Sequence, residues 1–135
     1  MSYKIDEIQG IGAAYKEKLH AGGIKSTDDL LEKCATAKGR KEMAEKTGLG
    51  EKHILGWTNM ADLMRVSGIG CQYAELLEAA GVDTIKELRN RNAENLTQKM
   101  SEINVEKNLA KTSPGNSVVE GWIEQAKQTD PKITY

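Results

Sequence analysis

Basic side chains gather in one part of this sequence. Lys33, Lys38, Arg40, Lys41, Lys46 and Lys52 lie around the tripeptide Gly48-Leu49-Gly50. If they converge with the amides of Gly48 and Gly50, they form a modest phosphate-tracking surface, since cations follow a charged backbone and N–H groups fix its register. The plainer alternative is a solvated face on which Glu42 and Glu45 pair with nearby lysines at helical spacing. Overall charge sharpens the contrast. The net charge is -1, divided as +1 over residues 1–58 (10 Lys/Arg, 9 Asp/Glu) and -2 over 59–135 (9 and 11). A dedicated nucleic-acid binder carries a basic excess, so only the first half leans the right way.

No constellation for covalent, acid–base or metal chemistry accompanies these lysines. Cys34 and Cys71 stand alone, without Cys-x-x-Cys spacing, and His20 and His53 lack ligand spacing to either. There is no Ser/His/Asp arrangement, no Gly-Lys-Ser/Thr phosphate loop and no two-metal acidic cluster. The chain therefore reads as non-enzymatic, with no catalytic residues, metal or cofactor. Residues 1–10 hold no apolar run of signal-peptide length, and no later run spans a bilayer. The reading is a soluble cytoplasmic protein with no membrane partner.

The elements that position these residues come from a repeat. Shifted by 58 positions, Gly10-Ile11-Gly12 falls on Gly68-Ile69-Gly70, Tyr15 on Tyr73, Leu19 on Leu77, Gly23 on Gly81 and Leu30 on Leu88. A period of this size marks a duplicated supersecondary unit. Each copy has a Gly-apolar-Gly turn, an amphipathic helix, a second Gly, an apolar residue and a further helix. Absence of Phe and reliance on Leu, Ile, Met and Ala suit helix packing. The chain is long enough, at 135 residues, to bury a real core.

Taken in order, Ile5 and Ile8 sit in an abbreviated first helix. Residues 13–21 form a helix with Ala14, Tyr15, the Lys18 stem and Leu19 near one face. Ser26 or Thr27 caps the next, with Asp28 and Asp29 in its first turn. A break at residues 36–39 precedes a helix through Lys41 and Met43 that ends near Gly48. Gly48-Leu49-Gly50 then opens a long run through Ile54, Trp57 and Met64 that ends at Ser67 and serves both halves. Thr84 caps residues 85–91, and residues 93–100 form another helix. The segment 53–57 reappears at 118–122 with an offset of 65, so about seven residues are added in the second copy, where Pro114-Gly115-Asn116 replaces Gly48-Leu49-Gly50. The units expected are 1–58 and 59–128, with 129–135 as a tail that Pro131 keeps non-helical.

This pattern resembles tandem helix-hairpin-helix units, and is similar to an uncharacterised bacterial family with the Gly-Ile-Gly, Ala-Gly-Ile/Val and Trp pattern in duplicate. The resemblance covers about residues 5–127. It implies an all-α fold of two such units joined by a shared helix. It also implies that N–H groups of each Gly-x-Gly turn and of the helix start behind it face a phosphate oxygen. A helix N-terminus suits that role, because its unpaired N–H groups and the dipole favour an anion. The positions so implicated are Gly10, Gly12 and Lys16 at the first turn and Gly48, Gly50 and Lys52 at the second, with Lys41 and Lys46 nearby. Gly68, Gly70 and Gln72 hold the equivalent place in the second unit. Ala13-Ala14 and Cys71-Gln72 stand where binders of this type commonly carry a Lys, Arg or small polar residue, and of these Gln72 supplies a donor while the alanines do not.

Tyr15 and Tyr73 share a repeat position, as do Trp57 and Trp122. They read as core anchors, or else as platforms on which bases stack. Two functions emerge. One is weak, sequence-independent binding of DNA or RNA backbone, weighted to the first unit. The alternative is a protein-interaction or scaffold module that uses the same fold without nucleic acid.

Overall fold

Helix boundaries in this chain follow from capping chemistry. The computed structural model describes residues 2–135, and among them the regular structure is one 3-10 turn and eight α-helices, with no strand. The turn is Ile5–Glu7. The helices are α1 (Ala13–Ala21), α2 (Thr27–Cys34), α3 (Ala37–Thr47), α4 (Glu51–Leu63), α5 (Cys71–Ala79), α6 (Ile85–Leu88), α7 (Ala93–Lys107) and α8 (Asn116–Lys127). The fold is all-α, as the composition and periodicity predict. Ser26, Thr36, Thr84 and Asn92 each accept a hydrogen bond from an N–H three residues on, and so open α2, α3, α6 and α7. The Asp29 carboxylate also accepts the Lys25 N–H at 3.0 Å, which holds its carboxyl below the usual range.

The chain divides into two compact units. The first ends at Asp62 and takes in Lys132–Tyr135, and the second is Leu63–Pro131. The dividing point lies four residues beyond the expected 58, and the last four residues of the expected tail fold onto the first unit.

In the first unit α3 packs on both α1 and α2, around buried Ile5, Leu19, Ile24, Leu30 and Ile54. In the second, α7 packs on α5 and α8, and α8 packs on α6, around Leu77, Val82, Leu88, Met100 and Val119. Leu19 and Leu77, Ile24 and Val82, and Leu30 and Leu88 are repeat-equivalent and all fully buried. Burial of each such side chain contributes roughly 1.5–3 kcal/mol. In the second unit, Arg89 donates to the carbonyls of Ala126 and Thr129 (2.9 and 2.6 Å), placing a cation on the negative end of α8.

Several boundaries differ from the sequence reading. The break between α2 and α3 is only Ala35-Thr36, and Gly39 lies inside α3. Here the glycine serves close packing, since a Cβ on it would collide with the carbonyl oxygen of Lys33. The long helix expected to run to Ser67 closes at Leu63, because Val66 N–H turns back to Leu63 O (3.1 Å) and Gly68 takes φ 96. All of α4 but its last residue lies in the first unit. The helix expected over 85–91 stops at Leu88. Conversely α7 continues seven residues past Met100, to Lys107, and ends on Asn108 in the left-handed region (φ 52). On α1, Ala14 and Lys18 are exposed rather than part of the buried face.

Candidate functional site

The two Gly-Ile-Gly turns have nearly the same geometry. Gly10 has φ 93 and Gly68 has φ 96, a region that a side chain enters only with strain. Each reversal drives the isoleucine inward: Ile11 and Ile69 are buried, and their N–H groups donate to Ile8 O (3.2 Å) and Val66 O (3.1 Å). The second glycine of each turn is the helix N-cap, and it is extended: Gly12 at φ -86, ψ -173 and Gly70 at φ -94, ψ -169. Any residue adopts that backbone. A Cβ on Gly12, Gly50 or Gly70 would meet nothing within 4 Å. Backbone geometry thus requires glycine only at the first position of each turn.

No side chain caps α1 or α5, and neither has an acidic residue in its first turn. Ala13 and Ala14 are exposed at the start of α1. The third turn is similar. Gly48 ends α3 in the left-handed region (φ 77), Leu49 is buried, and α4 starts directly behind Gly50.

The lysines do not gather around these turns as one group. Lys16 is bound to Asp6 (Nζ–Oδ2 3.3 Å), and its hydrogen bond is the main reason that the Asp6 carboxyl titrates below its usual range. Lys46 lines a cleft with Gly22, Lys33, Gly39, Glu42 and Met43. Lys52 lines a separate one with Ala37, Arg40, Glu51 and Leu55. Lys41 is exposed on α3 and borders neither. Arg40, counted in the basic cluster, is a buried structural group at 5% exposure. Lys33 lies over Gly23, with its Nζ 3.8 Å from the place of a Cβ there. Its repeat equivalent, Arg91, donates to Gly81 O at 2.9 Å and to Glu87.

The aromatic residues support the turns from below. Tyr15 meets Trp57 at 5.2 Å between ring centroids, and Tyr73 meets Trp122 at 5.1 Å, with similar tilts of 58° and 55°. Each indole Nε1 lies close beneath the first glycine of its turn, 3.8 Å from a Cβ position on Gly10 and 3.2 Å from one on Gly68. The tryptophans are buried, as the core reading predicts, while the tyrosines are only half-buried. In the first unit His53 joins the cluster, 5.9 Å from Tyr15 and 5.7 Å from Trp57.

The second unit departs from this plan at its added segment. Gly115, not Asn116, is the counterpart of Gly50, and Pro114 is buried where Leu49 is buried. Asn104 organises the loop before them. Its Nδ2 donates to Ala110 O (3.0 Å) and Ser113 Oγ (3.1 Å), and its Oδ1 accepts from Ala110 N–H (2.8 Å). That loop also reaches α5, where Gln72 Oε1 accepts the Lys111 N–H at 3.3 Å. Gln72, expected to face a ligand, thus has one of its polar atoms occupied within the unit.

Neither cysteine is paired. Burial pushes the Cys34 thiol up to about 11, so it stays protonated at neutral pH. Among the described residues no group of three or more His, Cys, Asp or Glu is placed to hold a metal, and no helix is long and apolar enough to cross a membrane.

The family model described as Domain of unknown function (DUF4332) matches residues 9–129, and the chain belongs to that family. No curated protein and no solved structure is significantly similar to it.

Proposed function

We propose that this member of the DUF4332 family is a non-enzymatic, cytoplasmic module of two tandem helix-hairpin-helix units. It binds the backbone of DNA or RNA weakly and without regard to sequence, chiefly through its first unit. The observation that carries this reading is the second glycine of the turns. Neither backbone strain nor crowding requires glycine at Gly12 or Gly50. A Ser, Thr, Asn or Asp at a helix N-cap supplies an acceptor that glycine lacks, and four other helices of the chain have such a cap. Glycine at this position leaves the first N–H groups of α1 open and lets another backbone come close. A phosphate oxygen meets both conditions.

Gly10, Gly12, Gly48 and Gly50 form the binding surface, with Lys41, Lys46 and Lys52 as exposed charges near the second turn. Lys16 contributes less, since Asp6 holds it. Gly68, Gly70 and Gln72 contribute less too, because the residues 109–115 loop engages Gln72 and the second half is acidic. The test is titration of a labelled duplex and a single strand, at low and moderate salt, against the natural chain and a Lys46→Glu/Lys52→Glu variant. Affinity falls steeply with salt and ignores sequence, since phosphate contacts release counterions. The charge reversal abolishes binding while the helical signal stays. No binding at about 50 mM salt, where phosphate contacts are favoured, defeats the proposal.

A second reading, a protein-interaction or scaffold module on the same fold, is favoured by the Lys16–Asp6 pair and the net charge of -1. Failure of the titration above makes it the account to pursue.

A further inference from the structure

Arg40 is the one basic residue of the cluster at which charge and burial coincide. Its Nη1 donates to the carbonyls of Cys34 and Ala35, both at 3.0 Å, and ties together the corner between α2 and α3. Its Nη2 donates elsewhere, to the carbonyl of Thr134 at 2.6 Å. Thr134 N–H returns to Ala35 O at 2.8 Å, and the Tyr135 ring lies 5.7 Å from the guanidinium carbon. The residues 132–135 that make these contacts are exposed, apart from half-buried Ile133. A segment that buries so little apolar surface opens at low free energy, well below global unfolding.

Arg40 also borders the cleft of about 290 Å³ that Lys52 and Glu51 line, behind the Gly48–Gly50 turn. We propose that residues 132–135 are a releasable cover over a phosphate subsite made by Arg40 and Lys52. This inference rests on the backbone-binding reading above and adds where a phosphate seats and what withholds it. When the segment lifts, Nη1 keeps its two carbonyls, so the guanidinium stays oriented. Nη2 loses its acceptor and is left to water, open to a ligand oxygen. A phosphate oxygen replaces the neutral Thr134 carbonyl with a charged acceptor, which makes the stronger bond to a guanidinium. Lys52 adds a second positive charge, while Glu51 opposes it. The subsite is therefore weak until Arg40 becomes available, and the cover acts as an internal competitor.

The test compares the full chain with a chain ending at Pro131, using a short labelled duplex of arbitrary sequence at about 50 mM salt. The shortened chain binds about ten- to a hundredfold more tightly, the gain expected from one hydrogen bond to a charged group. Its log-affinity falls more steeply with log salt by about one unit, the increment of one neutralised phosphate. Lys52→Glu in the shortened chain removes that gain. If the shortened chain loses its helical signal, Thr134→Pro takes its place, since it deletes the N–H donor to Ala35 at full length. Equal, measurable affinity of both chains overturns the cover and leaves the function proposed for the first unit standing. A gain that survives Lys52→Glu overturns the subsite. Absence of binding by every chain overturns both.

Discussion

Replacing Gly12 separates a glycine kept for folding from one kept for a ligand. Gly12 is the N-cap of α1, extended at φ -86, with no atom within 4 Å of a Cβ. A serine therefore fits without strain, and its hydroxyl accepts an N–H that is now uncapped. Relative to glycine such a cap gains a few tenths of a kcal/mol. An aspartate adds a charge at the positive end of the helix, worth about 0.3–1 kcal/mol. Gly12→Ser should leave stability unchanged or raise it slightly, and Gly12→Asp should raise it by up to about 1 kcal/mol. Both changes occupy the donors offered to phosphate, and the aspartate also repels it, so duplex affinity should drop by about tenfold or more in Gly12→Asp, about 1.4 kcal/mol. Urea unfolding followed by tryptophan fluorescence reads the stability, and duplex anisotropy reads the binding. Gly10→Ala is the contrasting variant. At φ 93 it carries a backbone cost of about 1–2 kcal/mol. The reasoning is refuted if Gly12→Ser loses more than about 1 kcal/mol, beyond any difference expected between these caps, or if Gly12→Asp binds the duplex as well as the natural chain.

Other expectations follow from packing and titration. Gly39→Ala, despite raising helix propensity, should destabilise the first unit by more than about 1 kcal/mol, since its Cβ would meet the Lys33 carbonyl oxygen and overpacking costs about 1–3 kcal/mol; a melting temperature at or above that of the natural chain would contradict this. Native protein should show one fast thiol toward a disulfide reagent, half-exposed Cys71, while Cys34 reacts only on unfolding because burial holds its thiol at about 11. Two fast thiols would show that the α2 core is open. Desolvation raises the Glu78 carboxyl, and so do the nearby charges of Asp83 and Glu75. A carboxyl raised above its unfolded value of 4.5 burdens the fold at neutral pH, and the burden lifts as pH falls through the folded pKa. Glu78→Gln should thus raise the melting temperature at pH 7 by an amount that shrinks toward about pH 4.5, and a gain that grows on acidification would be the wrong sign.

What could be read from the sequence was whatever local chemistry writes into it. The 58-residue repeat is visible because each reversal at Gly10 and Gly68 needs a positive φ, and the buried isoleucine beside it keeps its place in both copies. The caps at Ser26 and Thr84 are equally local. Gly39 misled because glycine reads as a breaker, whereas here it is held inside α3 by a carbonyl that no sequence window shows. The continuation of α7 was hidden because its inward residue past Met100 is Asn104, a polar side chain whose partners belong to the added loop. Arg40 looked like surface charge. Its role depends on a carbonyl 94 residues away, which no charge pattern encodes. The candidate site was legible as turns and lysines, but not as geometry: Lys46 and Lys52 border different clefts, and Lys16 belongs to Asp6.

The central claim is that the open helix starts of the first unit meet a phosphate backbone, and amide chemical shifts recorded while a short duplex is titrated into labelled protein test it most directly. The account predicts that the amides of residues 12–15 and 48–52 move together, saturably, and return when salt is raised, because the contacts are made by backbone N–H groups and screened charges. Shifts confined to the second unit, or none at about 50 mM salt, would contradict it.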